Sequence, residues 1–152
     1  MNKRKGFTLI ELLVIIVIIG TLAGTGVFYF RGLFVRQRLE ETMNNVRAFY
    51  QRTTTYATTT GENYRIELDR SNEFMRCLRD TTAASTKDSV GLTPGLDLDF
   101  AGGDATITFT IKVSGIVEDN NNIRDFSIYD SDSKDSILFY ISPLGEMEAK
   151  IK

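Results

Sequence analysis

The sequence has no histidine, no tryptophan, one cysteine and two prolines in 152 residues. Without histidine there is no imidazole general base, no His-activated nucleophile and no His-ligated metal centre. The single Cys77 excludes an internal disulfide and any thiolate zinc cluster; with no histidine to activate it, it reads as a buried thiol. No acid/base or nucleophile constellation is assembled, so the chain is not expected to be an enzyme and no cofactor is expected. An excess of either charge is also missing. A formal charge of -2 gives no electrostatic footprint for nucleic acid.

What is present is unevenly spread. Phe7 to Phe30 holds 17 apolar residues in 24 positions, with Glu11 as the sole charge, and Leu12 to Phe30 is uncharged. At about 1.5 Å per residue, a helix of this length matches a hydrocarbon core of about 30 Å. The segment can therefore span a membrane. Lys3, Arg4 and Lys5 precede it and favour a cytoplasmic N-terminus, although Arg31, Arg36 and Arg38 beyond the span weaken the bias. A cleaved secretory signal is an alternative, with Thr21-Leu22-Ala23 as a small-residue site. Against it, Glu11 would lie inside the apolar core of the signal, and hydrophobicity resumes at Val27-Phe28-Tyr29-Phe30. A plain signal anchor leaves Glu11 unexplained, because an intramembrane carboxylate costs a few kcal/mol and normally has a partner.

The run Lys5-Gly6-Phe7-Thr8-Leu9-Ile10-Glu11 resembles the signal of type IV prepilins and type II secretion pseudopilins: a basic leader, Gly before the cut, Phe after it and Glu as fifth mature residue. The resemblance implies cleavage between Gly6 and Phe7 by a prepilin peptidase, N-methylation of Phe7, and pairing of Glu11 with the N-terminal amine of a neighbouring subunit. Such a pair sets register better than it adds stability. The sequence departs from the pattern at Phe28, where many members carry Pro. Gly20, Gly24 and Gly26 supply alternative weak points, and Gly20 with Gly24 has the small-xxx-small spacing that permits close helix approach. Residues 1-6 are expected to be the leader, 7-30 the transmembrane assembly helix, 31-60 an amphipathic stalk and 61-152 a β-rich head.

The stalk follows from a stripe at steps of four and three: Leu39, Met43, Val46, Tyr50, Thr53 and Ala57. It is expected to pack on the protein's own sheet. The β-branched Thr53-Thr54-Thr55 and Thr58-Thr59-Thr60 predict fraying before a stop at Gly61. Beyond it the period becomes two. Tyr64, Ile66 and Leu68, a turn at Arg70 to Glu73, and Phe74 to Arg79 form a hairpin. Thr81 to Ser89 reads as a polar loop. Further strands are expected at Leu96 to Phe100, Ile107 to Val113, Phe126 to Tyr129, Ile137 to Ile141 and Glu146 to Lys152, the last two joined by Pro143-Leu144-Gly145. The fold class is α+β: a long helix packed on antiparallel sheets in six or seven strands. This order is similar to that of H-type pseudopilins and FimT-like minor pilins.

Two acidic stretches invite a calcium reading. In Asp130 to Asp135 an EF-hand would need an oxygen ligand at Lys134, Gly at Asp135 and a carboxylate at Ile141, and all three fail. Glu118 to Asn122 is oxygen-rich but reads as a solvated turn, so no metal is expected. Arg70, Arg76, Arg79, Lys150 and Lys152 could gather against DNA, but removing the leader takes away three of the 18 basic residues and leaves the balance at -5, which argues against DNA as a partner. The implied partners are the peptidase, other pilins or pseudopilins, an inner-membrane assembly platform and exported cargo. The implied location is the inner membrane, single-pass, with the head in the periplasm; a minor type IV pilin for priming, adhesion or DNA uptake is the alternative.

Overall fold

A computed structural model describes residues 7–81, 85–119 and 124–152, and of residues 27–29 and 31 only the backbone is described. The predicted leader 1-6 lies outside the described residues. The chain divides into two units, Met1–Phe34 and Val35–Lys152. Helix α1, Leu9–Thr60, contributes to both.

In the second unit nine strands follow α1 among the described residues: β1 (Tyr64–Asp69), β2 (Phe74–Arg79), β3 (Thr86–Gly91), β4 (Leu96–Phe100), β5 (Thr106–Ile111), β6 (Val117–Asp119), β7 (Asp125–Asp130), β8 (Ser136–Ile141) and β9 (Met147–Ile151). They form two antiparallel sheets, ordered β3-β2-β1-β5-β6 and β4-β7-β8-β9. Alternation explains the faces. Tyr64, Ile66 and Leu68 are buried, whereas Arg65, Glu67 and Asp69 between them are partly exposed. Phe126 and Phe139 pair across β7 and β8 with rings stacked 4.8 Å apart.

Val35, Leu39, Val46, Phe49, Tyr50 and Ala57 of α1 join residues from both sheets in one apolar cluster. The stripe thus packs on the protein's own sheets. Polar ties reinforce it. Arg38 donates to Asp130 at 2.7 Å and to the Pro94 carbonyl at 3.2 Å; Arg52 meets Asp88 of β3 at 2.7 Å.

The structure corrects four expectations. The threonine-rich end of α1 does not fray: helix continues to Thr60 with Thr53 and Ala57 fully buried, and each threonine hydroxyl is satisfied by the carbonyl four residues back, as from Thr53 to Phe49 at 3.0 Å and from Thr60 to Tyr56 at 2.7 Å. Gly61 then takes φ +69°, the left-handed conformation that ends the helix. The polar loop is partly strand, since Thr86–Gly91 pairs with β2. A short β6 lies where Glu118 and Asp119 read as turn. Finally, Val113 is not in β5: the chain turns at Lys112, whose N–H donates to the Ile116 carbonyl, leaving Val113 exposed.

Candidate functional site

The first unit carries the residues that the sequence singles out. Phe7 and Thr8 precede the helix, and α1 starts at Leu9. Leu9–Gly26 is the one stretch among the described residues long and apolar enough to cross a membrane, and none of it is buried by the rest of the protein. In water this much exposed apolar surface would be costly, at roughly 25 cal/mol per Å². A helix is the form such a segment takes in lipid, since its backbone groups are satisfied internally. The hydroxyls of Thr21 and Thr25 are satisfied likewise, donating to the Val17 carbonyl at 3.0 Å and to the Thr21 carbonyl at 3.1 Å.

Glu11 is engaged by its own chain. Its Oε2 accepts the Thr8 N–H at 2.9 Å and the Thr8 hydroxyl at 3.0 Å, while the Glu11 N–H donates to Thr8 Oγ1 at 3.3 Å. This is a capping box: Thr8 is the N-cap and Glu11 the third helical residue, each satisfying a backbone donor that the first turn leaves unpaired. The Thr-x-x-Glu spacing that announces it was available in the sequence at Thr8-Leu9-Ile10-Glu11. Phe7, Ile10, Glu11, Val14 and Ile15 line a shallow groove of about 290 Å³ on this side of the helix. Beside Gly20 and Gly24 an added Cβ would meet nothing within 4 Å, so both leave open space for another helix. Gly6 lies outside the described residues, and Phe7 sits just before the N-cap, largely exposed.

The other candidates fall in the second unit and are occupied by structural roles. Asp130, only 2% exposed, opens the first acidic stretch. Its Oδ1 accepts the N–H groups of Asp132 at 3.0 Å and Ser133 at 2.8 Å, and its Oδ2 meets Arg38. Burial pushes its carboxyl up, but the Ser133 and Asp132 N–H groups, the Ser133 hydroxyl and Arg38 outweigh this and hold it below the usual range. Among the described residues no three His, Cys, Asp or Glu side chains converge. Asn120 to Asn122 of the second stretch lie outside the described residues.

Three of the five basic residues are already engaged by carboxylates. Arg70 pairs with Asp99 at 3.1 Å and lies over the Phe100 ring at 4.2 Å, Arg76 pairs with Glu67, and Arg79 pairs with Glu62 at 2.9 Å. Lys150 and Lys152 are exposed at the C-terminal end. Guanidinium groups already bound to carboxylates offer little to a phosphate backbone. Cys77 is fully buried in β2, where burial pushes its thiol up against the opposing effect of the Thr53 hydroxyl.

Comparison with known proteins adds two findings. Residues 1–27 match the family described as the prokaryotic N-terminal methylation motif. No curated protein matches the sequence. Two solved structures of the minor pseudopilin EpsH from the type II secretion system of Vibrio cholerae share the fold. One has a TM-score of 0.56 at 18% identity, covering 72% of this chain and 96% of that one. The other has a TM-score of 0.53 at 18% identity, covering 73% and 94%. The fold is that of a minor pseudopilin, on a chain that begins with a methylation motif.

Proposed function

We propose that the chain is a structural pseudopilin or minor pilin, a filament subunit of a type II secretion machine, and not a catalyst. The observation that carries this is an apolar helix, uncovered by its own protein and bearing one carboxylate, on a chain whose α1 goes on to pack against two antiparallel sheets. A lone soluble domain has no use for such a helix; a subunit first held in a bilayer and then packed among other helices does. The methylation motif supports maturation by a prepilin peptidase between Gly6 and Phe7, with N-methylation of Phe7. Its basic leader supports a cytoplasmic N-terminus, with the head on the periplasmic side of the inner membrane.

Glu11 then acts in assembly. Its Oε2 is held by Thr8 in the single subunit, and the amine of a neighbouring mature chain would meet the same carboxylate in the filament. Aligned neighbours neutralise it and misaligned ones do not. In Glu11→Ala full-length protein, processing is expected to proceed and recovery in sheared filaments to disappear. Unchanged incorporation overturns the assembly role. Neighbouring genes for a secretin and further pseudopilins would favour secretion over a pilus.

A further inference from the structure

Every other arginine from Arg36 to Arg79 meets a carboxylate within 3.2 Å. Arg47 does not. Half-buried on α1, it gives one hydrogen bond to a neutral acceptor, the Ala149 carbonyl of β9, at 3.2 Å. A guanidinium has five N–H donors, so most of its capacity is unspent. Beside it opens a cleft of about 370 Å³, lined by Arg47, Tyr50, Gln51, Gly145 and Met147.

The cleft is preformed. The Gly145 turn is fixed by its N–H to the Ser142 carbonyl at 3.0 Å and by the Glu146 N–H to the Ser142 hydroxyl at 3.1 Å. Tyr50 spends its hydroxyl proton on the Gly145 carbonyl at 3.0 Å. The donors left along the lining are the Arg47 guanidinium and the Gln51 amide, and the Tyr50 ring and Met147 are the apolar walls. One cation with one amide matches a single negative charge and a short aliphatic stem. A phosphate, carrying close to two charges, would call for further cations or backbone donors that this lining lacks.

We propose that this cleft receives an aspartate or glutamate side chain from a neighbouring filament subunit, its carboxylate pairing with Arg47 and accepting from Gln51. The proposal rests on the filament reading. Arginine suits the role because its planar fork binds a carboxylate through two parallel hydrogen bonds. The size of the cleft, at the small end of binding pockets, fits one side chain and its flanking backbone.

The test uses full-length Arg47→Lys, Arg47→Ala and Arg47→Glu, produced where the wild type enters filaments. Incorporation is measured in the sheared fraction and the head is checked by limited proteolysis. Arg47→Lys, which keeps the charge and loses the two-point fork, is expected to fall between wild type and Arg47→Ala, Arg47→Ala to fall at least about tenfold, and Arg47→Glu to be absent from filaments with its head intact. A photo-cross-linking amino acid at Gln51 gives the second measurement, and the adduct is expected to map to a pilin peptide containing Asp or Glu. Wild-type incorporation of Arg47→Glu, an adduct with lipid, or an adduct on a peptide without an acidic residue each overturns the proposal. Should Arg47→Glu lose its fold, the mapped adduct decides. If the wild type never enters filaments, the filament reading fails first, and the absence of an acidic adduct then removes this one too.

Discussion

Gly145 and Gly115 offer a matched pair of substitutions whose difference isolates one contact. Both have positive φ, +84° and +82°, so alanine at either is strained by about 1 kcal/mol. Their surroundings differ. A Cβ on Gly115 would meet nothing within 4 Å, whereas one on Gly145 would lie 2.2 Å from the Gly115 carbonyl oxygen. Backbone cannot move aside as a side-chain tip can, so Gly145→Ala must separate the β5–β6 and β8–β9 turns. That separation removes the hydrogen bond from Val117 N–H to the Pro143 carbonyl at 3.1 Å and strains that from Tyr50 to the Gly145 carbonyl at 3.0 Å. At about 1 kcal/mol for each bond, Gly145→Ala should cost about 3 kcal/mol against about 1 kcal/mol for Gly115→Ala. The assay is urea unfolding of the full-length protein in detergent, followed by tyrosine near-ultraviolet circular dichroism. With a slope of about 1.5 kcal/mol/M, the two midpoints should differ by about 1.3 M. Midpoints within about 0.3 M of each other would refute the reasoning, since strain would then be the whole effect.

Two further outcomes are expected by the same measurement. Asp130→Asn should destabilise the fold by about 2 kcal/mol, less than for a fully buried pair because Arg38 is 37% exposed. The native Asp130 carboxyl lies below its unfolded value of about 3.9, so its contribution is complete above that pH and is lost as pH falls through the folded value. The variant should lack this part of the acid dependence, and an unchanged acid profile counts against it. Burial pushes Tyr50 up to about 12, against the opposing hydrogen bond with Thr54. Its contribution is therefore complete below pH of about 10 and is lost as pH rises toward 12. Tyr50→Phe should flatten that alkaline loss while costing about 1 kcal/mol at neutral pH; an identical alkaline slope in both proteins would contradict the assignment.

Much of the fold is written in local patterns. The steps of four and three from Leu39 to Ala57 specify the buried face of α1, although taking one residue per turn passes over Thr42 and Phe49, which are also buried, and the buried face begins one turn earlier, at Val35. The β1–β2 hairpin is legible because Asp69 anchors its turn, accepting the N–H groups of Ser71 at 2.9 Å and Asn72 at 3.0 Å. Strand β3 is not legible. It is an edge strand, Thr-Lys-Asp-Ser-Val-Gly, held by backbone pairing with β2, so no alternation of apolar residues is required of it. β6 is only three residues long and exists through its partner β5. At the N-terminus the methylation motif is plain, but the same letters also spell the Thr8–Glu11 capping box. Arg47 could not be found from sequence, because its distinction is spatial: among the described residues no carboxylate lies against it.

The burial of Cys77 reaches beyond packing. It is the chain's one thiol, it lies in β2 between β1 and β3, and Thr53 of α1 contacts it. A reagent that labels it under native conditions has caught a molecule in which α1 and this sheet have parted. The labelling rate therefore reports how often the head opens at rest. A cysteine placed on any exposed face would meanwhile react against a silent background.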